Sequence, residues 1–374
     1  MKKFFLPILI LIVFVCYMGV SKEKNEVKGR VLNVDNTQLI VAGLSKLGEQ
    51  KLTVELLGGE NKGKEIEVHN FISGSLEYDE VYKSGDKILV GLYESGEELR
   101  GKALSLYRLD SILLLASIFA LILIIYAGDI GIKSIISFFA SFLVIWYILI
   151  PSLKTDIDIF SLTIGTLILL SGIIIFLVAG FTKKGVSAFL GTLSGFGVTT
   201  ILTIFLGGIF GLDGMNQPFA QSILLTTNLN VDLLKIFYIT IALGASGAAM
   251  DVAMDMAATI EEIKVNAPEI TRKKLIISGF NVGRMVVGTM TTTLLLAYSG
   301  GYLTLLMLFI ERDVSLLAIL NMKMMTSEIV KILIGSISLV TVAPLTSIIS
   351  SYIYTLSLKE EKIIEKISKK LKLV

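Results

Sequence analysis

The sequence predicts an α-helical polytopic membrane protein of about eight spans with a small all-β domain, an OB-like barrel, near its N-terminus. Three observations carry this. Of 374 residues, 53% are hydrophobic, and the mean hydropathy of +0.78 belongs to membrane proteins rather than soluble domains. The apolar residues gather in stretches near the length a helix needs to cross ~30 Å of hydrocarbon. One long segment, 22–109, breaks this pattern with polar, alternating sequence.

The first stretch, "MKKFFLPILILIVFVCYMGVSKEK", has a basic start and an apolar core at 4–20. Residues 1–21 read as a signal anchor, or as a signal peptide cut near Gly19 and Ser21. Val15 stands where lipid attachment at Cys16 would need a small residue, so Cys16 reads as an apolar membrane residue. The segment after residue 21 is expected outside the cytoplasm.

In 22–109, runs such as "KLTVEL", "KEIEVHN" and "KILVGLYES" alternate with period two. "GGENKGK" (58–64) between two of them is a hairpin signal. Five or six short strands fit a small closed or partly closed barrel. His69, the one histidine, falls in a strand and reads as structural.

Candidate spans lie at 111–127, 134–150, 159–181, 186–209, 233–254, 276–298 and 331–356, a helical domain over 110–357. "YLTLLMLFI" within 302–320 is too short to span, and "ERD" interrupts it, so 302–327 reads as interfacial or re-entrant. Positive charge sets the orientation. Lys2, Lys3, Lys133, Lys183, Lys184, Arg272, Lys273 and Lys274 fall on one side if both termini are cytoplasmic. The tail, 358–374, adds six lysines against three glutamates on that side. It reads equally as a surface-lying amphipathic helix or a solvated end. The expected location is the cytoplasmic membrane of a bacterium, with 22–109 outside.

Two aspartates interrupt the apolar logic. Asp251 and Asp255, in "GAAMDVAMDMAATIEEI", share a helix face at i and i+4. A charge in lipid costs several kcal/mol unless it faces a bundle interior or water. Either they serve a pathway, or the helix has already emerged into the cytosol, as Glu261 and Glu262 would favour. The next span carries Asn281 and Arg284, the arginine about 12–15 Å into the membrane at 1.5 Å per residue. An Asp–Arg pair between these two spans would neutralise both, as a structural bridge or as part of a site.

Small residues surround these groups. Gly191 and Gly195 ("GTLSG"), Gly244 and Gly247 ("LGASG"), and Gly279 and Gly283 ("GFNVG") are spaced to let helices approach closely. The stretches "GASGAAMDVAMDMAATIEEI", "GFNVGRMVVGTMTTTLLLAYSGGYLTLLMLF" and "EIVKILIGSISLVTVAPLTSII", with "GTLSGFGVTT" and "GLDG", resemble the YibE/F family of bacterial membrane proteins. The resemblance covers roughly 110–357 and fits the longer members, which carry an exported β domain. It implies a membrane placement and a shared helical core, and it implies no substrate and no catalytic residue.

Three functions are open to these residues. The first is a permease for a small polar or ionic solute, using Asp251, Asp255, Asn281 and Arg284. The second is an envelope protein whose exported barrel recognises a ligand or partner. The third, an intramembrane acid–base enzyme pairing Asp129 of "YAGD" with Asp251, is discounted, since an Asp beside Gly at a span's end is more simply a turn residue. One His outside the helical domain leaves no Ser-His-Asp set and no HExxH, and the sequence holds no phosphate-binding loop. No enzyme activity, metal or cofactor is therefore expected. The net charge of +2 argues against nucleic acid. The expected partners are the lipid bilayer, a small solute or ion, and another membrane protein or a second copy.

Overall fold

The computed structural model describes residues 25–95, 98–226 and 232–356. The expected leader and basic tail lie outside the described residues. The chain forms two compact units, Met1–Gly128 and Asp129–Val374.

The first unit holds β1 (Glu26–Ala42), β2 (Ser45–Leu56), β3 (Glu65–Ile72), β4 (Lys87–Ser95) and β5 (Glu98–Leu106). In β3, Ile66, Val68, Asn70 and Ile72 are buried while Glu65, Glu67 and Phe71 are exposed, the period-two signature of a half-buried strand. β2 and β3 pair antiparallel across the 58–64 segment, as its glycines predict. The strands bond in the order β1-β2-β3-β5-β4, and β4 pairs back onto β1, so the sheet closes on itself. Val31, Leu52, Val54, Leu56, Val68 and Ile88 fill its interior. Gly101 permits the close approach of β5: a Cβ there would lie 2.5 Å from Val90 and 2.9 Å from Val68.

The buried amide of Gln50 pins the 73–86 segment to the sheet. Its Nε2 donates to Asn36 Oδ1 at 2.8 Å and to the Tyr82 carbonyl at 2.9 Å. Its Oε1 accepts from Asn70 Nδ2 at 3.1 Å and from the Tyr82 amide at 3.0 Å. Every polar atom of the side chain is satisfied, as burial demands.

The helices are α1 (Leu109–Val144), α2 (Ile159–Val178), α3 (Lys183–Ile209), α4 (Ala220–Thr226), α5 (Leu233–Asn266), α6 (Arg272–Gly300), α7 (Leu303–Glu311), α8 (Leu316–Asn321) and α9 (Lys323–Tyr354). Asp158, Thr182 and Asp232 cap α2, α3 and α5, each side chain accepting from a backbone amide. Five helical stretches among the described residues are long and apolar enough to cross a membrane, and α6 with α7, bent by 65°, makes a sixth if the pair is counted as one span. The first stretch, Leu109–Ser152, runs 44 residues where the sequence predicts two spans. It breaks between them at Gly128, whose φ of 56° is open to glycine at no steric cost.

Two helices extend well beyond the candidate spans. α5 runs on to Asn266 rather than 254, because alanine, methionine and glutamate continue it until Pro268. α9 starts at Lys323 rather than 331, because Lys323 and Glu328 in its first turns find oppositely charged partners. The 302–327 segment forms the short helices α7 and α8.

α5 is the centre of the second unit. Its Ala249, Ala253, Met256 and Ala257 are fully buried against α3, α6 and α9. α3 lies on α9 without room for a methyl group. A Cβ at Gly191 would meet Thr346 Oγ1 at 2.1 Å, and one at Gly195 would meet Val342 Cγ2 at 2.1 Å. α9 also carries Pro344 in its interior.

Candidate functional site

The helix that buries most places its two aspartates outward. At four-residue spacing Gly247, Asp251 and Asp255 fall on one stripe of α5, and all three are exposed, as is Ala258 beyond them. Val252, Ala253, Met256 and Ala257, on the other side of the same turns, are buried. Gly247 therefore differs from the packing role its sequence predicts: a Cβ there would meet nothing within 4 Å. Gly244, three residues earlier, faces α6, where a Cβ would lie 1.9 Å from the Tyr298 hydroxyl.

Gly279 and Gly283 bring α6 onto α5 and α9. A Cβ at Gly279 would approach Ile260 and Ser347 at 2.9 Å, and one at Gly283 would meet Met256 and Ala343 at an ordinary 3.5 Å. Asn281 and Arg284 are exposed, and Arg284 Nη1 donates to Asn281 Oδ1 at 3.5 Å. Arg284 lines a cleft of about 350 Å³ between α6 and α9, otherwise walled by Phe280, Gly283, Val287, Gly288, Val340, Ala343 and Pro344.

The expected Asp–Arg pair does not form. Among the described residues no ion pair joins Asp251 or Asp255 to Arg284. The reason is rotation. Gly283 sits at the junction of α5 and α9, and the next residue turns roughly 100° further round the helix. Arg284 thus opens beside α9, while the carboxylates open on α5. Depth does match, since Gly283 abuts Met256 and so sets Arg284 level with Asp255.

A second charged cluster, absent from the sequence-based candidates, lies at the other end of α5 and α9. Lys331 Nζ donates to Glu328 Oε1 at 2.5 Å and to Gln217 Oε1 at 2.9 Å. It also lies 5.6 Å above the Phe237 ring. Glu328 and Lys331 are each 5% exposed. Buried Lys235 donates to the carbonyls of Thr155 and Ile157 at 2.9 and 2.7 Å. Asp213 and Lys323 form an ion pair nearby. The Lys323 ammonium and the Met215 amide hold the Asp213 carboxyl below its usual range. The sequence signal was the i, i+3 spacing of Glu328 and Lys331 at the head of an apolar run. At the Asp251 end, Glu261 binds Lys184 Nζ at 2.9 Å and accepts from the Tyr354 hydroxyl at 2.8 Å.

Among the described residues no group of His, Cys, Asp or Glu could hold a metal ion. In the β unit, His69 pairs with Glu49 on the neighbouring strand. A shallow polar groove of about 370 Å³ there is lined by Asn33, Asp35, Lys51, Thr53, Glu65 and Glu67. Chemically, Asp251 and Asp255 can take up a proton or a cation, since no cationic side chain among the described residues pairs with them.

Two family models match this chain. One, described as YibE/F-like protein, matches residues 115–356. The other, the YibE/F family N-terminal domain, matches 22–106. No curated protein and no solved structure matches it. The matches take in both the five-stranded sheet and the apolar helices, so the chain belongs to the YibE/F family.

Proposed function

We propose that this protein is a permease of the bacterial cytoplasmic membrane that carries a small cation or a polar solute moving with one. The observation that carries the reading is the open stripe of Asp251 and Asp255 on an otherwise buried helix, with no cationic partner among the described residues. Exposed carboxylates within an apolar span are costly, and they mark ion or proton pathways. The Glu328–Lys331 pair is a second polar station at the opposite end of the same helices. The apolar middle of α5, around Ala245 and Ala249, lies between the two. Passage therefore requires the helices to move.

In this reading α1 crosses twice, parted at Gly128, and α2, α3, α5, α6 and α9 cross once each. With 4–20 the chain has eight spans, both termini are cytoplasmic, and the β domain is outside. The test uses a Cys16→Ser chain with single cysteines at 251, 255, 281 and 284, in sealed vesicles, labelled by a membrane-impermeant thiol reagent from either face. Reaction at 251 from both faces is the expected result. Reaction at 251 and 255 from the cytoplasmic face alone would mean that α5 has already left the membrane, and would overturn the pathway.

A second reading is favoured by the strand order β1-β2-β3-β5-β4, which suits an OB-like barrel, and by the polar groove on β1, β2 and β3. OB-folds bind ligands on the face of strands 2 and 3. The exported barrel would then recognise a ligand or partner, with the helices as its anchor. Function retained after deletion of 22–108 would exclude it.

A further inference from the structure

We infer that the carboxylate stripe is completed by a second copy of this chain, whose Arg284 reaches Asp251 and Asp255 in a symmetric dimer built on α6. The inference rests on the permease reading for the purpose of the site, but not for the contact itself.

Charge complementarity carries the contact. One face offers two carboxylates and the other a guanidinium, and among the described residues none of the three has an ion-pair partner. Each lies in a segment too apolar to leave it to lipid. The two groups stand at one depth, because Gly283 of α6 abuts Met256 of α5. They open on the two flanks of α6, the arginine toward α9 and the carboxylates on α5.

That arrangement is self-complementary. A twofold axis along the membrane normal keeps each residue at its own depth and exchanges left flank for right. Two copies facing each other across α6 therefore set each Arg284 opposite the partner's Asp stripe, twice over. The ridge between the flanks carries Met285, 77% exposed, and exposed Thr292 two turns further along the same face. Small residues on such a ridge let two helices approach closely.

One arginine against two aspartates leaves a single negative charge per site. The completed site is thus matched to one proton or one monovalent cation.

The test is disulfide cross-linking in native membranes. A Cys16→Ser, Met285→Cys chain is oxidised with copper–phenanthroline. The expected product is a band at twice the 40.8 kDa chain. Arg284→Glu in that background should reduce the band at least about tenfold, since like charges then face each other. Adding Asp255→Arg should restore it. Light scattering of the detergent-solubilised Arg284→Glu chain checks that it is a folded monomer. If that variant does not fold, Thr292→Trp, which blocks the ridge two turns from Met285 and leaves the charges alone, replaces it and should abolish the band.

No cross-link, a cross-link to a different protein, or a band indifferent to both variants would overturn the inference. Sodium, potassium and proton uptake by reconstituted vesicles tests the permease reading separately. A dimer without uptake sinks that reading alone, and uptake by a monomer sinks the dimer alone.

Discussion

Lys331 reaches back one turn of α9 to Glu328, and both are sealed within the bundle at 5% exposure each. Such a pair is stable only as a pair. Removing the ammonium leaves an uncompensated buried carboxylate and removes the donor to Gln217. Lys331→Met should therefore cost about 3–5 kcal/mol, whereas the double variant Glu328→Met, Lys331→Met should recover most of it. Thermal unfolding in detergent would measure both. Equal losses in the single and double variants would show that the stranded carboxylate carries no penalty of its own.

The α3–α9 contact predicts a steric rescue. Gly195→Ala places a methyl group 2.1 Å from Val342 Cγ2, so the helices must separate or Val342 must move. Overpacking of this kind should cost about 1–3 kcal/mol, and Val342→Ala in the same chain should relieve it. Gly247→Ala, which meets nothing, should be neutral or slightly stabilising through helix propensity. Unfolding midpoints of the three variants would decide the matter.

In the β unit, Gln50→Leu removes two donated and two accepted hydrogen bonds and strands the buried amide of Tyr82. Losses of about 2 kcal/mol or more are expected. Hydrogen exchange should accelerate across 73–86 ahead of β2 and β3. Unchanged protection there would mean that Gln50 does not tether the segment.

Glu80 supplies a pH dependence. Burial alone would raise its pKa, but Arg108 Nη2 at 2.5 Å and the Leu106 amide at 2.6 Å outweigh it and hold the carboxyl below its ordinary 4.5. A carboxylate with a depressed folded pKa contributes stability above the unfolded value, and that contribution is lost as pH falls through the folded one. Protection of the Leu106 amide should therefore hold above pH 4.5 and decline below it. Glu80→Gln should remove that decline.

The β strands and most helices were legible because their signals are local. "KEIEVHN" alternates in sequence as Ile66, Val68 and Asn70 alternate in burial. The spans are written in their length. The Asp–Arg pairing was not legible, because helical spacing says which residues share a face and not which neighbour that face meets. Gly244 and Gly247 make the same point. They belong to one small-residue run, yet one lies under Tyr298 and the other faces open space. The Glu328–Lys331 pair was visible as a spacing, but only the arrival of Gln217 and Phe237 from distant segments shows that it is buried.

Pro344 gives the bundle a mechanical character. It has no amide to offer the carbonyl of Val340, so the hydrogen-bond ladder of α9 lacks a rung there. The gap lies beside Ala343, at the height where Gly283 meets Met256. A rod with one missing rung bends there more readily than elsewhere. The softest section of α9 thus coincides with the plane of Asp255 and Arg284, so a tilt of one half of that helix against the other would be felt first as a change in the width of the arginine cleft.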